Sequence, residues 1–140
     1  MAARVRALGA AVREVEMLEN LAQEAHTGRL RIPLDELMRA GVDVQGLAKT
    51  PWPAALGTLM NQRHEALRAT IRDTIGTFGR EEQPTLRGLL VWAGLAWRQS
   101  MRAQRAFPNA IQARRYDALA DGWQAWRTAR RAAAGKFRLT

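Results

Sequence analysis

Apolar residues recur every three or four positions along almost the whole chain, in long segments ended by Gly or Pro. That is the period of a helix, and no alternating stretch of useful length offers a strand instead. In residues 2–25 one stripe holds Val5, Leu8, Val12, Val15, Leu18 and Ala22. Gly28 and Pro33 bound a short irregular stretch, and residues 34–40 predict a short helix stopped by Gly41. Pro51 and Pro53 punctuate a loop, with Pro53 suited to the first turn of the next helix. That helix, over 54–78, places Leu56, Met60, Leu67, Ile71, Ile75 and Phe78 on one face, and Gly79 stops it. A fourth helix runs from near Pro84 to Pro108 with Leu86, Leu89, Leu90, Ala93, Trp97 and Met101. A last one, over 111–134, carries Tyr116, Leu119, Trp123 and Trp126. There is no internal repeat. Helices of this length and number predict an all-α bundle, one domain over 1–140. The five tryptophans, at helical spacing, are expected as anchors between helices, or else as the lining of an apolar cavity.

Several function classes drop out at once. The chain has no cysteine, so disulfides, thiolate metal sites and a cysteine nucleophile are excluded. Its longest apolar run, 89–97, is interrupted by Gly94 and followed by Arg98. It is far short of the roughly 18–20 residues a membrane span needs. The first residues lack the apolar core of a secretory signal, so a cytoplasmic location is expected, with peripheral membrane contact open. The net charge is +9, and +7 of it falls in residues 101–140. A basic end of this kind suits an anionic partner: lipid headgroups, nucleic acid, diphosphate or an acidic protein.

Few residues carry chemistry. His26 and His64 lie in different elements without a carboxylate pair at ligand spacing, which argues against a two-histidine metal site. No Gly-rich phosphate loop, nucleophile elbow or zinc motif is present. On the first helix Arg13, Glu16, Asn20, Gln23 and Glu24 fall within a fan of about 100°. Such a face either holds Mg²⁺ shared with substrate phosphates or is simply solvated, with Arg13 and Glu16 paired. Asp117 and Asp121, at i,i+4, form a second acidic pair, suited to helix salt bridges with Arg114 and Arg115 or to a metal. Arg127, Arg130 and Arg131 make the last helix basic. They predict a solvated face with Trp123 and Trp126 packed behind it, or a surface for membrane or lipid diphosphate. Nucleic acid is disfavoured, since no nucleic-acid-binding motif accompanies the charge.

The stretch from Leu8 to Pro33, LGAAVREVEMLENLAQEAHTGRLRIP, resembles the second aspartate-rich helix of the squalene/phytoene synthases, close to LGxAxQLTNILRDVxEDAxxGRxYLP. Leu8, Gly9, Ala11, Leu18, Ala25, Gly28, Arg29 and Pro33 keep register without a gap. The following LDEL, the Gly41–Val42 turn and the Trp/Arg-rich end, WQAWRTARRAAAGKFRL, are also similar to the family. The resemblance implies part of the isoprenoid synthase fold, the C-terminal portion, without the half that holds the first aspartate-rich helix. It implies a cavity in which carboxylates hold Mg²⁺ and Mg²⁺ holds prenyl diphosphates. Here the motif letters change. Asn20 and Gln23 stand where the family has Asp and Glu, Glu24 replaces its last Asp, and Arg31 replaces its Tyr. Arg13 and Glu16 stand at its upstream Gln and Asn. Two carboxylates thus become amides, which predicts weak or no Mg²⁺ binding and no tightly bound cofactor; Mg²⁺ would be needed only if the chain is active.

The reading that follows is a shortened synthase-like protein without prenyl-condensing activity of its own. It acts as a binding or partner subunit linked to isoprenoid metabolism, and its cavity takes a prenyl or other apolar ligand. Glu16, Asn20, Gln23 and Glu24 are its candidate metal or diphosphate residues; Arg13, Arg29, Arg31, Arg127, Arg130 and Arg131 are its candidate anion-binding residues. One alternative is an active Mg²⁺-dependent head-to-head prenyltransferase completed by oligomerisation, using Glu16, Glu24, Asp117 and Asp121. Another is a basic helical module for anionic membrane or nucleic acid. A missing half also predicts a homodimer or heteromer, with the Val5–Val12–Val15 stripe or the Trp92–Trp97 region at the contact.

Overall fold

The computed structural model describes residues 1–28, 32–47, 51–107 and 117–139. Its elements are α1 (Ala2–Glu19), α2 (Leu21–His26), α3 (Leu34–Arg39), α4 (Val44–Leu47), α5 (Ala54–Gly76), α6 (Arg87–Ala106) and α7 (Ala118–Ala133). Every regular element among the described residues is helical, so the protein is an all-α helical bundle.

The three long helices α1, α5 and α6 pack against one another, and α7 lies on α6. Each buries most of the stripe its sequence marks. Leu8, Val12, Val15 and Leu18 of α1 meet Leu56, Met60, Leu67, Ile71 and Ile75 of α5 and Leu90, Ala93 and Ala96 of α6 in one core. The short helices close one end, where α2 packs on α4. Trp52 is buried there, its indole N–H donating to the Leu47 carbonyl at 2.9 Å and its ring 5.5 Å from Phe107.

Four expectations change. Residues 2–25 are not one helix: α1 ends at Glu19, and Asn20 turns the chain into α2. The Asn20 side-chain amide donates to the Glu16 carbonyl at 2.9 Å, taking the place of the backbone N–H four residues on. That local bond competes with helix continuation. Pro53 stands at the N-cap of α5 rather than within its first turn. Residues 84–86 form turns ahead of α6, and Met101 near its far end is exposed. Finally, α7 begins at Ala118, and residues 111–116, expected in the same helix, lie outside the described residues.

The chain end is tied down. Gly135, at φ +66°, closes α7 through two bonds, its own N–H to Ala132 and the Lys136 N–H to Arg131. This is the 6→1, 5→2 pattern that needs a left-handed residue. A side chain at Gly135 would also strike the Arg80 carbonyl, because its Cβ would sit 2.6 Å from that oxygen. Beyond it Phe137 is buried, and Gln83, with no exposed surface, clamps its backbone on both sides. The Phe137 N–H donates to Gln83 Oε1 at 2.9 Å, and Gln83 Nε2 donates to the Phe137 carbonyl at 3.3 Å.

Candidate functional site

The polar face of the first helix is divided by the turn at Asn20. Arg13 donates to Glu16 at 2.8 Å, one turn apart on the surface of α1. Asn20 is committed to the Glu16 carbonyl. Glu24 lies half-buried in α2, beyond the turn. The Gln23 side chain and all of Arg29 and Arg31 lie outside the described residues. What can be seen is therefore a surface ion pair and a capping amide. No group of three or more potential metal-ligating side chains gathers among the described residues.

The second acidic pair is separated by role. Asp117 is the N-cap of α7, its carboxylate accepting from the Ala120 N–H at 3.0 Å. Asp121, one turn on, faces α6 and accepts two bonds from Arg102, at 2.6 and 2.8 Å. Arg98 stands 3.5 Å away. Arg102 holds the Asp121 carboxyl below the usual range, against the opposing pull of partial burial. This fork-to-fork pairing is a tertiary tie between α6 and α7, not a pairing with Arg114 and Arg115, which lie outside the described residues.

The basic helix differs most from expectation. The sequence predicts Trp123 and Trp126 packed behind its arginines, yet Trp123 is 58% exposed, Trp126 47% and Leu119 88%. The side toward α6 carries Asp121, Thr128 and Ala132 instead. The physical reason is close approach. Gly94 of α6 faces Thr128, so near that a Cβ on Gly94 would lie 3.4 Å from the threonine Oγ1. Small residues let two helices come together where an indole would hold them apart. Trp123 and Trp126 therefore lie outside, stacked on each other with ring centroids 4.8 Å apart. The Arg130 guanidinium sits 5.1 Å from the Trp126 ring centroid. Arg127, Arg130 and Arg131 are all exposed, and no ion pair engages them among the described residues. The small residues at 125, 128 and 132 were the signal that could have revealed this, since they form a helical stripe opposite the indoles.

One cluster escaped the sequence altogether. His64 of α5 is 2% exposed, and its Nδ1 lies 3.0 Å from the Ser100 hydroxyl of α6. Arg68 donates to the same hydroxyl oxygen at 3.0 Å and to Gln104 Oε1 at 2.7 Å. Gln104 in turn donates to Glu65 at 3.0 Å. With Arg68 donating to its oxygen, Ser100 is placed to give its proton to Nδ1, so the ring proton belongs on Nε2. Burial, reinforced by the Arg68 charge, pushes His64 down to about 4 and keeps it neutral. A serine beside a histidine base is the start of a nucleophilic site, but both side chains are sealed in the core. The cluster is a polar seam joining α5 to α6.

Compared with known proteins, the chain matches no family model, no curated protein sequence and no solved structure.

Proposed function

We propose that this chain is a binding or partner subunit of squalene/phytoene-synthase type, linked to isoprenoid metabolism, that does not condense prenyl diphosphates by itself. The register of residues 8–33 supports the link. What carries the non-condensing reading is the commitment of the acidic groups that catalysis would need. Glu16 is held by Arg13, Asp117 by the start of α7, and Asp121 by Arg102. A carboxylate bound to a guanidinium must give it up before it can bind Mg²⁺, and the amide at Asn20 supplies no charge in exchange. The same commitments weigh against a transferase rebuilt from Glu16, Glu24, Asp117 and Asp121.

Burial of Val12 and Val15 within the chain, with Val5 packed against the same core, weighs against the Val5–Val12–Val15 stripe as a contact for a partner. Exposed apolar surface suited to a partner lies instead at Trp92, which is 60% exposed. Incubation of the purified chain with farnesyl and geranylgeranyl diphosphate plus Mg²⁺ tests the proposal. The expected result is no condensed product and no saturable Mg²⁺ binding. Product formation that disappears in Glu16→Gln or Glu24→Gln would restore the enzyme reading.

A further inference from the structure

We infer that α7 docks on an anionic lipid membrane surface, meeting it with its exposed indoles and arginines. The inference goes beyond the partner-subunit proposal and does not depend on it.

A helix of sixteen residues spans about 24 Å, long enough to lie along a bilayer surface. Leu119, Trp123 and Trp126 project from its outer face, with Arg130 lying on the Trp126 ring. Arg127 and Arg131 flank the stripe. Indoles settle at the headgroup level of a bilayer, where an apolar ring and a polar N–H are both satisfied. Arginine stems cover apolar surface while their guanidinium groups reach phosphate. Among the described residues no helix is long and apolar enough to cross a membrane, so the contact is peripheral.

Charge decides between lipid and other occupants. An apolar protein groove would take Leu119 and the indoles but leave Arg127 and Arg131 desolvated without counter-charge. A second copy would set the same arginines against each other, on a chain of net charge +9. A nucleic acid would supply phosphate, but base stacking needs free indole faces, and Trp126 already packs on Trp123 and Arg130. An anionic bilayer offers apolar depth and phosphate charge together.

The test is co-sedimentation of the full chain with phosphatidylcholine vesicles, with and without phosphatidylglycerol, while tryptophan emission is followed. Binding is expected only with phosphatidylglycerol, weakening as salt is added, with a blue shift on binding. The pair Arg127→Gln/Arg131→Gln should weaken binding roughly thirtyfold, from about 1 kcal/mol per arginine at an anionic surface. The pair Arg39→Gln/Arg72→Gln removes the same charge from α3 and α5 and should leave binding within about twofold, since screening limits distant charges. Trp123→Ala/Trp126→Ala should weaken it at least about tenfold by withdrawing apolar area. If circular dichroism shows that the tryptophan pair disturbs the helix, the two arginine pairs alone decide. Absence of binding to phosphatidylglycerol vesicles, or equal loss in both arginine pairs, overturns the inference. So does preferential occupation of α7 by an oligonucleotide or by a second copy of the chain.

Discussion

His64 shows how a single residue couples this fold to pH. Its ring is sealed between α5 and α6, where burial and then the Arg68 charge depress it from 6.5 to about 4. The unfolded chain therefore takes up a proton at a pH where the folded chain does not. Stability is unaffected above the unfolded value, falls as pH drops from 6.5 toward about 4, and levels off below that. Between about pH 7 and about pH 5 the loss amounts to about 2 kcal/mol. Urea denaturation of the wild type and of His64→Gln at both pH values checks this. The variant should show a much flatter pH response in that window, whatever its stability at neutral pH. The sequence warns against a metal role for this histidine but gives no view of its partners. Ser100 lies 36 residues away, on a helix whose facing is fixed only by packing. Asn20 is the opposite case. Its type marks a helix end, yet the stripe running through residues 2–25 favours continuity; the chain turns at Asn20, whose amide donates to the Glu16 carbonyl in a local bond that competes with the helix.

For the helices, legibility depended on which face carried bulk. α5 and the first part of α6 place large aliphatic residues inward, and their stripes read correctly from spacing alone, from Leu56 to Phe78 and at Leu90 and Ala93. On α7 the bulk is outside and the buried face is small, so spacing located a stripe but assigned it to the wrong side. The pattern gives the period of a helix, not the depth of the neighbour it meets. The tie that orients α7 is the Asp121–Arg102 fork, with the Asp121 side chain 14% exposed and that of Arg102 33%. Asp121→Asn leaves Arg102 without its carboxylate against α6. The expected destabilisation is about 2 kcal/mol, below the range for fully buried pairs because Arg102 keeps contact with water. Thermal denaturation measures it, and a shift no larger than that of Asp73→Asn, at a surface pair on α5, would show that the fork contributes nothing special.

At the scale of the whole molecule, the ends of the chain meet the turns between α5 and α6. From the front, Arg4 donates to the Thr77 carbonyl and to both Glu82 oxygens. From the back, Gly135 fits under the Arg80 carbonyl and Phe137 enters the core. None of this is visible in the sequence, where Gly79 marks only the end of one helix, Pro84 the start of the next, and 135–139 part of a basic end. The reason is distance along the chain: Gln83 and Phe137 are 54 residues apart, and only the packing of α7 on α6 brings them together. Gln83 joins the two, because its buried amide accepts from the Phe137 N–H and donates to the Phe137 carbonyl, which also accepts from Arg138 at 2.9 Å. Gln83→Ala leaves the Phe137 N–H buried and unpaired, while the carbonyl keeps the Arg138 guanidinium at 2.9 Å, at an expected cost of about 1–3 kcal/mol. Gln83→Glu can still accept from the N–H but has no donor for the carbonyl when ionised, so it should not restore wild-type stability. Because α7 reaches the core through α6 and this tail, the loss should be felt first at the chain end. Hydrogen exchange at Lys136 and Phe137 should quicken more than exchange in the middle of α5. Exchange that quickens equally along α5 and the tail would mean the clamp supports the bundle as a whole rather than the seating of α7.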